Sequence, residues 1–206
     1  VDIFVVIMAV VNMMVIVVVL SRLKEQIAIV TGSSRGIGFA AAKSLLRNGA
    51  TVVICSRKKE GVQEAVETLR QEFPNRVYGK TIHVGKVEQH EPFIEEVCQE
   101  LGTPTILVNN AAANPYFGPM MNLTWEAWDK TVEVNLKGSF GLSRTVAKRC
   151  IDEKKPASII LLSSVFGITA APYQAIYGMT KAALISMTKS LAHEWGPVGI
   201  RINAVA

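Results

Sequence analysis

The sequence predicts an α/β fold, a doubly wound parallel sheet three layers deep with helices on both faces. Three observations predict it. From Gln26 onward, short β-branched runs alternate with longer amphipathic stretches, the pattern of β-α units that feed a parallel sheet. A glycine-rich turn, Thr31-Gly32-Ser33-Ser34-Arg35-Gly36-Ile37-Gly38, follows the first run and opens the first amphipathic stretch. The chain has 206 residues, 50% of them hydrophobic and 19% charged, which suits one domain with a substantial core.

The expected strands are Ile27 to Thr31, Thr51 to Ser56, Val77 to Val84, Thr105 to Asn109, Ser158 to Ser163 and Ile200 to Val205. Helical periodicity fills the gaps near Gly38 to Asn48, Lys59 to Glu72, Gln89 to Leu101, Thr124 to Ile151 and Tyr173 to Trp195. Right-handed crossovers between parallel strands then place helices on both faces. One segment is irregular: Ala111 to Asn122 contains Pro115, Gly118 and Pro119, which exclude a regular element. It follows the fourth strand, and open parallel sheets bind ligands beyond the carboxyl ends of their strands. Asn122-Leu123-Thr124 forms a glycosylation sequon, but Thr124 is better explained as the N-cap of the long helix that follows.

The first twenty residues stand outside this pattern, which is taken to define the domain from residue 21 to residue 206. Ile3 to Leu20 is apolar apart from Asn12, just long enough to cross a bilayer. Arg22 and Lys24 follow directly, so a spanning segment would leave the domain on the cytoplasmic side. The alternative is a fragment end or a mis-assigned start, since the chain begins with Val rather than Met.

The net charge of +5 does not mark a nucleic-acid partner, because Lys and Arg are interspersed with acids along helices rather than grouped in blocks. Cys55, Cys98 and Cys150 are odd in number and widely separated, which argues for reduced, mostly buried thiols rather than disulfides. His83, His90 and His193 show no ligand spacing. No metal is expected.

Glycine at three positions of the turn permits positive φ, close approach of backbone to a pyrophosphate and tight helix-sheet packing. The following helix N-terminus adds unpaired N–H groups and positive partial charge. The site is therefore read as a dinucleotide cradle. An NAD site normally has an acid at the end of the second strand to bond the ribose 2′-hydroxyl. Here the stretch is Ile54-Cys55-Ser56-Arg57-Lys58. Ser56 and the planar donor fork of Arg57 suit a 2′-phosphate instead, with Arg35 able to reach it from the turn, so the expected cofactor is NADP(H).

Tyr177 and Lys181 are four residues apart at the start of the last long helix, so phenol and ammonium share a face. Ser163-Ser164 ends the fifth strand, and Asn135 lies within the long helix. With Asn109-Asn110-Ala111-Ala112 and Arg201-Ile202-Asn203-Ala204-Val205, these motifs stand in an order that resembles the short-chain dehydrogenase/reductase family from Ser21 to Ala206. The match to loops such as His83-Val84-Gly85-Lys86 and Asn110 to Gly118, with Trp128-Asp129-Lys130, resembles its branch of NADP-dependent retinol dehydrogenases/reductases of the member 4 type.

The resemblance implies a Rossmann-type oxidoreductase that moves a hydride between nicotinamide and a carbonyl or alcohol such as a retinoid, ketone or steroid. It implies Tyr177 as general acid, Lys181 lowering the phenol pKa and holding the ribose, Ser164 polarising the substrate oxygen, and Asn135 fixing a water that links Lys181 to solvent. Gly32, Ser34, Arg35, Gly36, Ile37, Gly38, Ser56, Arg57, Asn109 and Ala111 would line the cofactor with Tyr177 and Lys181. A homo-oligomeric parent, dimer or tetramer, and a cytoplasmic-side or peroxisomal location are implied too.

The chain departs from the family pattern in having His83 where Asp is usual and Ala112 or Ala113 where Gly is common. Family members continue beyond the position of Ala206 with a substrate-covering segment and a seventh strand, so a chain ending there is expected to bind cofactor weakly and turn over poorly. Two other readings share the motifs: a 3-oxoacyl-carrier-protein reductase, and a catalytically silent nucleotide-binding or membrane-tethered scaffold.

Overall fold

Six strands form and pair side by side in parallel. They are β1 (Ile27–Thr31), β2 (Thr51–Ser56), β3 (Val77–Thr81), β4 (Ile106–Asn109), β5 (Ala157–Leu162) and β6 (Ile200–Val205). Their order across the sheet is β3-β2-β1-β4-β5-β6, the doubly wound arrangement whose direction reverses between β1 and β4. The structure is a computed structural model and describes residues 23–206. The apolar segment 3–20 lies outside the described residues. Among the described residues, no helix is long and apolar enough to cross a membrane.

The strands read as continuous apolar runs because both faces of the sheet are covered. On one face, Ala28, Val30, Val52 and Ile54 meet Ala42, Leu45 and Leu46 of α1 (Gly36–Arg47) and Val62, Ala65 and Leu69 of α2 (Lys59–Arg70). The intervening strand residues, Ile29, Val53 and Cys55, face the other way with Leu107, Ile159 and Leu161. There they pack on Phe93, Ile94 and Val97 of α3 (His90–Leu101), Leu142 and Val146 of α5 (Ser139–Asp152), and Leu184 and Leu191 of α6 (Ala175–Trp195). A period of two along each strand thus divides the core into two layers. The cysteines are free, Cys55 and Cys150 buried and Cys98 half-buried, and burial pushes the Cys55 thiol up to about 12.

Four expected boundaries shift for identifiable reasons. The third strand stops at Thr81 rather than Val84; Ile82 N–H still donates to Ser56 O at 3.0 Å, after which Lys86 N–H turns back to His83 O at 2.8 Å. The last helix starts at Ala175 rather than Tyr173, since Tyr173 has a φ of 62°, which no helical residue adopts. The first helix begins two residues earlier than expected, at Gly36. Most consequentially, the stretch expected as one helix from Thr124 to Ile151 is two. Helix α4 (Trp125–Val132) and α5 are joined by a π-helical turn over Glu133–Gly138. Thr124 caps α4 as expected, its hydroxyl accepting from Ala127 N–H at 3.2 Å.

The wide turn has a packing cause. Gly138 is buried, and a Cβ there would stand 2.6 Å from the Val84 carbonyl oxygen and 2.9 Å from its carbon. The backbone approaches β3's exit so closely that only glycine fits. Replacing Gly138 with Ala forces the π turn off Val84 and is expected to cost about 1–3 kcal/mol of stability, read as a lower urea midpoint with an unchanged slope. A midpoint equal to that of the parent protein contradicts this packing.

Candidate active site

The site lies where β1, β4 and β5 end. After β1 the chain enters the glycine turn with φ +62° at Gly32 and +61° at Gly36. A Cβ at Gly32 would meet Ala111 Cα at 3.0 Å, and one at Gly38 would meet the Gly32 carbonyl oxygen at 2.6 Å. Gly36 has open space where a Cβ would stand. Arg35 is the N-cap of α1 and makes no side-chain cap bond, so the first-turn N–H groups are left for an outside acceptor. This bare cradle at a helix N-terminus fits a dinucleotide pyrophosphate.

The turn is held from two sides. Ser33, buried, ties it to β2: its hydroxyl donates to Val30 O at 2.5 Å and accepts from Cys55 N–H at 3.0 Å. Asn110 ties it to β4, its Nδ2 donating to Thr31 O at 2.8 Å and Gly32 O at 3.0 Å. The Thr31 hydroxyl completes the seam by accepting the N–H groups of Asn110 and Ala111, each at 3.0 Å. Ser33, Thr31 and Asn110 were not singled out from the sequence. Asn109, which was, turns its side chain into the core and donates to Ser143 Oγ at 2.9 Å. Alternation along β4 sends Asn109 inward and leaves Asn110, the first residue past the strand, to face the turn. That signal was present in the period-two pattern.

Around the glycine turn and the β2 exit, Ser34 and Ser56 are half-buried, while Arg35, Ile37 and Arg57 are exposed. Neither arginine forms an ion pair among the described residues. His83 stands beyond β3, its Nε2 2.9 Å from Lys130 Nζ, and Lys130 reaches Glu133 at 3.5 Å. An ammonium can only donate, so the His83 proton sits on Nδ1, which is buried without a partner. Burial, then Lys130, holds the His83 pKa below its ordinary value.

The chemical end gathers Ser164, Tyr177, Lys181 and Asn135. Ser164 ends the β5 exit in extended backbone, φ −166°, its Oγ accepting Phe166 N–H at 3.2 Å. Tyr177 and Lys181 lie one turn apart on α6, with Lys181 Nζ 5.4 Å from the Tyr177 ring centroid. Lys181 is only 3% exposed; its Nζ donates to Leu162 O at 2.5 Å, and the buried Ser163 hydroxyl donates to its carbonyl at 2.8 Å. Asn135, projected inward by the π turn and 1% exposed, accepts Ala113 N–H at 2.7 Å. Its Nδ2 donates to Ala113 O and to Thr180 Oγ1, both at 3.0 Å. Thr180 and Ser163, like Asn110, carry bonds that spacing alone did not reveal.

Two groups have shifted pKa values. Burial lowers Lys181 to about 8. Burial raises the Tyr177 phenol, and the Ser164 hydroxyl is the group that pulls it back. The expectation that Lys181 draws the phenol down is not met in this arrangement, because both groups lose solvent together and the ammonium is turned to the Leu162 carbonyl. Opposite the site, Phe117 and Tyr173 rings lie 6.0 Å apart; Gly118 N–H donates to Tyr173 O at 2.8 Å and Asn114 Nδ2 to Gln174 Oε1 at 2.6 Å. These bonds join the irregular segment after β4 to the approach to α6.

A parallel sheet of this order, with a glycine turn at its switch point and a Tyr-Lys pair beside it, defines a Rossmann-type fold. The chain belongs to the short-chain dehydrogenase family, whose model matches residues 26–206. It is similar to human dehydrogenase/reductase SDR family member 4, with 39% identity over 184 residues, 89% of this chain and 66% of that protein. The chain therefore spans just under two thirds of that relative's length. A short chain dehydrogenase from Bacillus anthracis superposes with a TM-score of 0.85 at 34% identity, over 89% of this chain and 74% of that one. A gluconate 5-dehydrogenase from Burkholderia cenocepacia, solved with NADP and tartrate, superposes with a TM-score of 0.83 at 32% identity, over 89% and 71% of the two chains.

The Lys181 shift has a direct consequence for stability. The unfolded chain keeps this proton up to the ordinary lysine value of 10.5, whereas the folded chain releases it at about 8. Between these pH values the unfolded state binds more protons, so the Lys181 contribution to stability rises with pH across the window. Relative to Lys181→Met, the parent protein is expected to gain up to about 3 kcal/mol from the lower limit to the upper, measured by urea unfolding of both proteins at several pH values. A pH-independent difference would show that the ammonium is not buried as described.

Proposed function

We propose that this protein is an NADP(H)-dependent carbonyl reductase or alcohol dehydrogenase acting on lipophilic carbonyls. The observation that carries the reading is the convergence of Ser164, Tyr177 and Lys181 at the end of β5 and the start of α6, with one strand, β4, between them and the glycine cradle after β1. Gly32, Ser34, Arg35, Gly36, Ile37 and Gly38 would hold the pyrophosphate and its flanks, with Asn109 and Ala111 at the β4 exit. Ser56 and Arg57 would take the 2′-phosphate, with Arg35 opposite. The absence of an acid at the β2 exit and the NADP bound to the Burkholderia relative support this preference. Lys181 would hold the nicotinamide ribose.

A nicotinamide held there would give a hydride to the carbonyl carbon in reduction, or take one from the alcohol carbon in oxidation. The residues supply the rest. Burial keeps the Tyr177 phenol protonated at neutral pH, so in reduction it arrives as an acid and passes its proton to the substrate oxygen. Ser164 donates a hydrogen bond to the same oxygen and disperses its developing charge. Lys181, mostly cationic below about 8, keeps its ammonium on the Leu162 carbonyl, so the Ser164 hydroxyl is the group that favours the phenolate left behind. Asn135 has both amide protons committed to protein partners, so the water-holding role that family likeness implies falls to an oxygen acceptor there. Phe117, Met121, Trp125 and Tyr173, all exposed, support an apolar substrate beside these loops.

Calorimetry should find NADPH bound at least about tenfold tighter than NADH, with Arg57→Ala removing most of the gap by deleting a charge-assisted contact. Equal affinities in the unmutated protein overturn the cofactor assignment. Tyr177→Phe should lower kcat for reduction of an apolar aldehyde by at least about a hundredfold with little change in cofactor binding, because only the proton donor is lost. A variant that keeps most of its rate removes Tyr177 from the chemistry.

A further inference from the structure

We infer that Thr180 is a positioning residue of this site, a hydroxyl bridge through which the catalytic helix is locked to Asn135 and, beyond it, to the cofactor-side loop. The inference rests on the oxidoreductase reading above and deepens it. Thr180 sits between the two reactive side chains in sequence, three residues after Tyr177 and directly before Lys181. Like Lys181, and unlike the half-buried Tyr177, it is buried, being 1% exposed.

Its bonds can be counted to completion. A hydroxyl has one proton and two acceptor positions. The Thr180 proton goes to the Tyr177 carbonyl at 2.7 Å, one turn back along α6. The oxygen accepts Asn135 Nδ2–H at 3.0 Å. Asn135 spends its other amide proton on Ala113 O at 3.0 Å and its Oδ1 on Ala113 N–H at 2.7 Å. The result is a chain of four bonds from the Tyr177 backbone through Thr180 and Asn135 to the loop after β4.

Each member is in an element that could otherwise move independently. Ala113 lies in the irregular segment, Asn135 stands on the π turn, and Thr180 rides on α6. Neighbouring bonds position Lys181 along the sheet: its Nζ meets Leu162 O at 2.5 Å and its carbonyl accepts from Ser163 Oγ at 2.8 Å. Those contacts tie α6 to β5. Within the body of α6, the Thr180 bridge ties it to the β4 side, where Ala111 N–H meets the Thr31 hydroxyl at 3.0 Å beside the glycine turn; the Asn114–Gln174 and Gly118–Tyr173 bonds join only its approach. Because Asn135 has no spare donor and is buried, loss of the Thr180 oxygen leaves an N–H that no solvent reaches, and the side chain must turn to satisfy it. Turning it releases Ala113. A small error in placement between acid and hydride site is costly to rate, since the reaction depends on orientation.

Thr180→Val keeps the shape and removes the oxygen; Thr180→Ser keeps the oxygen and removes a methyl. In the full protein, Thr180→Val is expected to lower kcat at least tenfold while the Kd for NADPH stays within threefold, and Thr180→Ser to retain kcat within twofold of the parent. The amide of Ala113 is expected to exchange with deuterium at least tenfold faster in Thr180→Val than in Thr180→Ser, a readout independent of turnover. Parent turnover abolished by Tyr177→Phe in the same assay establishes the underlying reading, so that a Thr180→Val enzyme with unchanged kcat and unchanged Ala113 exchange overturns the bridge alone. If the parent shows no turnover, the oxidoreductase reading fails and the Ala113 exchange still judges the bridge. Should Thr180→Val not fold, a double-mutant cycle of Thr180→Ala and Asn135→Ala on kcat decides: less than additive losses support action through Asn135, and additive losses overturn it.

Discussion

The reversal of winding between β1 and β4 is the constraint on which the site depends. With β2 on one side of β1 and β4 on the other, the chain leaving β1 goes to α1 on one face, while the chain after β4 leads to the helices of the opposite face. Two connections that part in this way leave a crevice that neither fills. Its floor is sealed by the Thr31 hydroxyl and the Asn110 amide, which bond across the gap between strand ends. Glycine is required at Gly32 because the β4 exit comes so near that a side chain would meet the Ala111 backbone at 3.0 Å.

The second organising feature is the density of buried polar groups around Lys181. A buried ammonium is costly unless it is bonded, and a network of buried polar groups rigidifies only when each member is satisfied. Here Leu162 O takes the ammonium, Ser163 takes the Lys181 carbonyl, and Asn109 is paired with Ser143. Asn135 has three partners of its own. Among the described residues the exception is His83 Nδ1, a buried donor without a partner, at the position where the chain departs from the family's usual acid.

Element identity was legible because hydrophobic periodicity is a local property. The runs at 27–31, 51–56 and 200–205 form strands over those same spans. Misjudged boundaries were ones set from outside the segment. Thr124 to Ile151 carries an unbroken helical period, and nothing within it announces a π turn; the turn arises because Gly138 must approach Val84, over fifty residues earlier in the chain. Tyr173 fits the helical pattern equally well, yet the bond from Gly118 N–H to its carbonyl accompanies a left-handed backbone there.

By itself the sequence determined the doubly wound α/β class, the glycine cradle, the missing acid after β2 and the set Asn135, Ser164, Tyr177 and Lys181. The first three follow from residue type at short spacing, where chain connectivity already decides who can meet, whereas the last set is what the family resemblance implied. Only the tertiary structure decided the direction of each side chain and the electrostatic state of the pair. It sent Asn109 inward and Asn110 to the turn, placed Thr180 against Asn135 across forty-five residues of chain, and buried Tyr177 and Lys181 together so that their pKa values moved apart from the expected sense. Desolvation and hydrogen-bond pairing depend on what the fold brings from elsewhere, and no window of local sequence contains that information.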